Sequence, residues 1–268
     1  MAQSDNFGFG EEAALLKESA RKFLDDNFPT DRLHALVAGD HTPERMSDCA
    51  WEQGLWQQMV DLGWTMLAVP EDAGGVGMPL VAVAGLVEEL GRAAFPCPLM
   101  ATLNSTYVLA ACGDTGLPAL EEIAAGSAAT LAITNRDGSW NVADTDVHCR
   151  DGKLSGSAWY VQDARKVSCL LVSAHSPAGL SLYWVAADAP GVTILPDAIV
   201  DLTRDQAHIS FEQVEATPVS DNALAALHQA MPAIWTTLAA DMVGAAEWQL
   251  QTTVEYVSTR QQFDHPLG

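Results

Sequence analysis

Positive charge is scarce in this sequence. Its 268 residues carry 13 Lys and Arg against 35 Asp and Glu, a formal net charge of −22. That balance excludes nucleic-acid binding, which needs cations to neutralise phosphates. It also excludes an anionic membrane surface as partner. Charge of either sign is thin, at 18% of residues, below the usual quarter. The solvated surface is therefore small relative to the core, or another chain covers part of it. Cysteine is sparse and odd in number: Cys49, Cys97, Cys112, Cys149 and Cys169. None are spaced as CxxC, so neither a zinc site nor a disulfide frame is indicated, and reduced, buried thiols are expected. The seven histidines show no i, i+4 or HxH pairing with carboxylates, so no metal site is expected. No apolar run is long enough to span a bilayer. Residues Met1–Asp5 lack the basic and apolar regions of a signal peptide. A cytoplasmic protein is the expectation.

What is present is a core. Hydrophobic residues make up 49%, enough to rule out disorder. Residues 1–126 read as helical, with segments at Glu11–Phe28, Trp51–Leu62, Pro79–Arg92, Ala101–Cys112 and Pro118–Ala125, punctuated by Pro29, Gly63, Pro96, Pro98 and Gly126. Trp51, Trp56, Trp64 and Trp248 read as core or interface. A glycine-rich loop lies at Leu67–Gly77. It is no phosphate loop, because no Lys-Ser/Thr follows. Residues 127–220 change to short β-type runs at Thr130–Thr134, Asp144–Cys149, Lys153–Gly156, Ala158–Val161, Cys169–Ser173, Ser181–Ala186, Val192–Leu195 and Ala207–Phe211. Their spacing predicts an antiparallel sandwich or barrel rather than βαβ units. Residues 221–268 return to the helical period, with Leu224, Leu227, Met231, Leu238 and Met242 on one face.

That last helix is predicted to end at Pro266 and Gly268, which puts Arg260, Gln262 and Phe263 in its final turn. A guanidinium, an amide and an aromatic ring grouped there suit an anionic ligand that bears a ring. A basic residue favouring a helix C-terminus is the plainer alternative. A helix this long also needs packing partners, and none follow it. Gly268 is therefore expected not to be the natural terminus.

The α, then β, then α layout resembles the acyl-CoA dehydrogenase family, and several segments match it in order. Gly63–Gly77 (GWTMLAVPEDAGGVG) looks like the family's "LGW…PEEYGGLG" loop, and Val87–Arg92 (VEELGR) like its "EELGR" helix. Gly152–Gly156 followed by Tyr160–Asp163 resembles "GxxLxGxKxWITN". Asp201–Arg204 with Phe211 resembles the segment leaving the family's barrel, and Arg260–Phe263 matches "RxQFG". The resemblance covers nearly the whole chain. It implies an α+β fold: an N-terminal helical domain, a middle antiparallel β-barrel, and the start of a C-terminal helical bundle. It implies FAD as cofactor and an acyl-CoA thioester as substrate, with a Glu or Asp removing the Cα proton and the flavin taking the Cβ hydride. Partner expectations follow too: a homo- or hetero-oligomer, dimer or tetramer, through the C-terminal helices, and an electron-transfer acceptor protein.

The resemblance also nominates residues. Arg260, Gln262 and Phe263 would reach the FAD of a neighbouring protomer; Asp264 stands where the family has Gly. Ile133 and Thr134 would meet the flavin along the first barrel strand, and Ser139 would touch the pyrophosphate. A plain hairpin turn at Asp137–Gly138 remains open there. Tyr160 would pack on the flavin and Gln162 would contact its edge, with ordinary in–out strand alternation as the alternative. No catalytic base is nominated. Ile234 occupies the position where some members carry a Glu, Trp235 the position that often holds an Arg, and Asp241 and Glu247 read as solvated helix carboxylates. Three functions stay open: an acyl-CoA dehydrogenase, a non-catalytic subunit of a heteromeric one acting on, for example, a steroid-type side-chain CoA ester, and the same fold turned to other flavin chemistry.

Overall fold

The computed structural model describes residues 10–38, 49, 51–139 and 141–268. The Met1–Asp5 stretch read for a targeting signal lies outside them. In chain order the elements are α1 (Glu11–Asn27), α2 (Thr30–Ala38), α3 (Gln53–Asp61), α4 (Leu80–Arg92), α5 (Leu99–Ala111), α6 (Leu117–Ala124), β1 (Ala129–Ala132), β2 (His148–Arg150), β3 (Lys153–Gln162), β4 (Cys169–Ser176), β5 (Gly179–Ala186), β6 (Val192–Pro196), β7 (Gln206–Glu215), β8 (Thr217–Ser220), α7 (Ala223–Thr259), β9 (Gln261–Gln262) and β10 (His265–Pro266). No helix among the described residues is long and apolar enough to cross a membrane.

The chain forms two compact units. The first contains Met1–His34, Leu80–Phe95 and Trp235–Gly268, and it joins α1, α4 and the second half of α7. Its centre is Glu89, fully buried on α4. Arg21 of α1 donates to both its carboxylate oxygens at 2.9 Å, and Arg92 donates at 2.7 Å. Arg21 also reaches Glu247 of α7 at 3.2 Å. A buried carboxylate is tolerable only with such partners. Glu247, expected on a solvated face, is part of this network, and it also accepts from Gln251 at 3.0 Å. Pro29 was expected only to stop α1. Its carbonyl also accepts from Arg32 and Leu33, so the same proline opens α2.

The second unit, Ala35–Pro79 with Pro96–Ile234, holds an eight-stranded, mostly antiparallel sheet along the path β6-β7-β3-β2-β4-β5-β8, with β1 on β4. One apolar cluster takes side chains from β3 and β7 (Leu154, Ala158, Ile209, Phe211) and from β4 and β5 (Leu170, Val172, Val185), so the sheet folds over it. A second cluster lines the other side, with α5, α6 and the start of α7 contributing Val108, Leu120, Ile123, Leu227 and Met231 against Leu171 and Leu182. Strand β4 is buried on both faces for this reason. The described pairings leave the expected antiparallel barrel open, and they correct the direction of one strand. No pairing joins β6 to β8 among the described residues, so the sheet is not seen closed. And β1 pairs parallel to β4, because β2 and β3 form the crossover between them. The two runs expected at Lys153–Gly156 and Ala158–Val161 are one strand with register shifts. Gly156 makes the first shift possible: its φ is 124°, and a Cβ there would sit 2.2 Å from the Asp146 carbonyl oxygen.

Candidate functional site

Five of the nominated residues come together at one edge of the second unit. Ile133 and Thr134 follow β1, and the Thr134 carbonyl accepts from the Trp159 N–H at 2.9 Å, tying the strand exit to β3. The next turn carries Arg136, whose carbonyl accepts from the Tyr160 hydroxyl at 3.0 Å. Gln162 is tied to the same strand, because Thr130 Oγ1 donates to its carbonyl at 2.7 Å. Ile133 is buried, Thr134 and Gln162 half-buried, and Tyr160 is 48% exposed. Tyr160 also has a φ of 55°, a costly conformation for an aromatic residue. That conformation and the bulge around it break the simple in–out alternation considered for this strand. Ser139 closes the turn: its N–H donates to Asn135 Oδ1 at 2.9 Å and its hydroxyl to Asp144 at 2.6 Å.

Several residues of this edge carry no signal in the sequence motifs. Trp159 stacks on His208 with ring centroids 4.6 Å apart, and the Arg136 guanidinium lies over the Trp159 ring at 5.5 Å. His208 in turn meets Asp197 at 3.2 Å. Behind Gln162 sit Asp163 and Asp205, both buried, with Lys166 and Arg165 as their cations. Only the pairing of β3 with β7 brings residue 163 to residue 205.

The other three nominated residues lie in the first unit, and their setting differs from the expectation. Helix α7 ends at Thr259, one residue before Arg260. Gln262 and Phe263 belong to a small hairpin, with Gln262 paired to His265 and Gln261 to Pro266. Phe263 and Asp264 form its tip with φ of 53° and 65°, as primed two-residue turns require. The hairpin is strapped back by Leu267 N–H to the Arg260 carbonyl at 3.0 Å and Gly268 N–H to Val257 at 3.1 Å. Pro266 and Gly268 therefore end a strand pair, not the helix. Arg260 and Gln262 are exposed, and Phe263 is 95% exposed.

The positions considered for proton abstraction give no ready base. Ile234 is buried and apolar, Trp235 is 59% exposed, and Asp241 is buried. Asp163 is pushed above the usual carboxylate range by burial, but its oxygen accepts from Lys166 Nζ at 2.7 Å. Thiol nucleophiles are also disfavoured. Burial pushes Cys97 up to about 12 and Cys49, Cys112 and Cys169 up to about 11, so all four stay protonated at neutral pH. No group of three or more potential metal ligands occurs among the described residues.

The comparisons with known proteins agree with this layout. The family described as "Acyl-CoA dehydrogenase, N-terminal domain" matches residues 10–118. The acyl-CoA dehydrogenase IpdE2 of Mycobacterium tuberculosis is 29% identical over 265 residues, which is 96% of this chain and 67% of that protein. The solved Tcur3481–Tcur3483 steroid ACAD variant is 30% identical with a TM-score of 0.81, covering 97% of this chain and 70% of that one. The ChsE4–ChsE5 complex from Mycobacterium tuberculosis, 22% identical, shares the fold with a TM-score of 0.76 over 97% of this chain and 70% of its own. Sequence identity at this level over nearly the full chain, joined to the same order of helices, sheet and long helix, shows that the chain belongs to the acyl-CoA dehydrogenase family.

Proposed function

We propose that this chain works in the α,β-dehydrogenation of an acyl-CoA thioester, with FAD as cofactor, as one component of an oligomer. The observation that carries this reading is the hairpin after α7. Arg260 has no ion-pair partner among the described residues, although acidic groups far outnumber basic ones, and beside it an aromatic ring is 95% exposed. A guanidinium suits a diphosphate in bidentate geometry, and an uncovered ring suits a planar cofactor. On the sheet unit, Tyr160 would pack on the flavin while Ile133, Thr134 and Gln162 hold its edge; Arg260, with Gln262 and Phe263, would reach the FAD of a neighbouring protomer. Ser139 fits less well, because its hydroxyl is already given to Asp144, and that carboxylate repels a diphosphate. FAD, when bound, supplies the hydride acceptor.

A specific observation favours a narrower version. The position where some family members carry their base is Ile234, buried and unable to take a proton. We therefore favour a subunit that helps to hold FAD while another chain or segment supplies the base, consistent with likeness to a two-protein complex. A steroid-type CoA ester as substrate, an electron-transfer protein as acceptor, a cytoplasmic location, closure of the sheet as a barrel and the three-part division at residues 126 and 220 belong to the same proposal. The test is the visible absorbance of the purified protein, alone and with an adjacent homologous gene product. Flavin in either preparation supports the reading, and flavin only in the mixture supports the subunit version. Colourless protein in both overturns it.

A further inference from the structure

The segment that carries Tyr160 and Gln162 is anchored from behind by buried charge. Tyr160 and Asp163 both take positive φ, 55° and 52°, and the register of β3 shifts between Ala158 and Val161. Residues with side chains hold such conformations only where the surroundings over-determine them. Here the surroundings are ionic. Lys166 closes a turn on Asp163 twice, through its N–H to the Asp163 carbonyl at 2.9 Å and through Nζ to the carboxylate at 2.7 Å. The Asp163 N–H donates to the Asp205 carbonyl at 2.9 Å, and Arg165 Nε donates to Asp205 Oδ1 at 2.9 Å. Asp163, Lys166 and Asp205 are at most 5% exposed. Val161, Ala164 and Ala207 around them belong to the apolar cluster. Two ion pairs in such a setting are a costly way to make a turn that neutral residues make readily. Asp205 Oδ2 is even left buried without a hydrogen bond, and a group placed at such a cost calls for an explanation.

We propose that Asp163–Lys166 and Asp205–Arg165 are positioning pairs that hold the strained Tyr160 conformation, and Gln162 beside it, in the geometry that meets the flavin. This rests on the reading of the chain as FAD-binding. The ion pairs fix the residue after Gln162, while Thr130 fixes the Gln162 carbonyl, so the backbone of that residue is clamped on both sides. A site clamped in this way meets its ligand already organised.

The test compares two double variants with the unsubstituted full chain, each with its partner protein if flavin uptake needs one. D163G/K166M removes both charges and keeps the backbone freedom at residue 163. D163N/K166Q keeps a neutral hydrogen-bonded pair. The readouts are amide hydrogen exchange of peptides spanning residues 158–164 and the affinity and visible spectrum of added FAD. D163G/K166M is expected to exchange at least tenfold faster in that segment, with β4 and β5 unchanged, and to bind FAD at least tenfold more weakly with a shifted flavin band. D163N/K166Q is expected to stay within about threefold of the parent protein, as a hydrogen-bonded pair retains the geometry. If D163G/K166M fails to fold, R165M/D205A, which removes the other ion pair and its hydrogen bonds, serves for the same measurements with the same expected direction. Flavin uptake by the parent with D163G/K166M matching it in exchange, affinity and spectrum overturns this inference alone. Absence of flavin uptake by the parent overturns the functional reading, and this one with it.

Discussion

Gly244→Ala is a substitution whose sign the structure decides. In an exposed helix interior, Gly→Ala stabilises by about 1 kcal/mol through backbone entropy. Gly244, however, sits where α7 crosses α4. A Cβ there would lie 1.8 Å from the Glu88 carbonyl oxygen and 2.7 Å from the Arg92 N–H nitrogen. Both obstacles are backbone, so no side chain can swing away. Gly91 faces the other way across the same crossing, and its Cβ would lie 2.0 Å from the Asp241 carbonyl oxygen. Relief requires α4 and α7 to separate, and the ion pairs around Glu89 resist that. Overpacking costs about 1–3 kcal/mol, and a backbone clash belongs at the upper end. Offsetting the propensity gain leaves a net loss of about 2 kcal/mol, or a fall of about 4–8 °C in Tm for a protein of this size. The assay is thermal unfolding followed by far-ultraviolet circular dichroism, with the parent protein alongside. A Gly244→Ala protein that melts higher than the parent would show that the two helices do not meet as described.

Other outcomes follow from the same geometry. Glu89→Ala leaves Arg21, Arg92 and Lys17 facing an empty buried site, and a loss of about 3 kcal/mol is expected in urea unfolding; a loss under 1 kcal/mol would contradict it, since that is the range of exposed pairs. The buried Cys97 and Cys169 predict a pH dependence. Their folded pKa values, about 11 to 12, lie above the unfolded value of 9.0, so the folded state keeps protons that the unfolded state releases. Their contribution is fully present below pH 9 and falls as pH rises through 9 towards 11–12. Denaturation midpoints that stay level from pH 8.5 to 10.5, with alkylation of Cys97 at pH 8 as fast as that of a free thiol, would contradict the burial.

Most helices were legible because the periodicity and the punctuating Pro and Gly residues agree, and their boundaries mostly fall within two residues of the expectation; α2 was not expected. The sheet was legible as β-rich but not as a topology. Nothing local to Ala129–Ala132 says that its partner lies forty residues on in β4, or that it runs parallel. Gly156 reads as the end of one strand, with a break after it, when it is a bulge inside a single strand. The end of α7 was misjudged for a physical reason: the turn opens on Phe263, an aromatic that does not advertise positive φ, while Pro266 and Gly268 were the visible stop signals. At the site, Ile133, Thr134, Ser139, Tyr160 and Gln162 lie together in the second unit, while Arg260, Gln262 and Phe263 lie in the first. The ion pairs beneath Gln162 were hidden because Asp163 and Asp205 are distant in sequence, and charged residues read by default as surface.

The central claim is that Arg260, presented beyond α7, helps to hold a flavin dinucleotide. The direct measurement is the FAD dissociation constant of Arg260→Ala against the parent protein, in the same oligomer and at matched salt. Losing a hydrogen-bonded cation from a diphosphate costs about 1.5–3 kcal/mol, so affinity should drop roughly tenfold to a hundredfold. An unchanged dissociation constant, with the oligomer intact, would contradict the account.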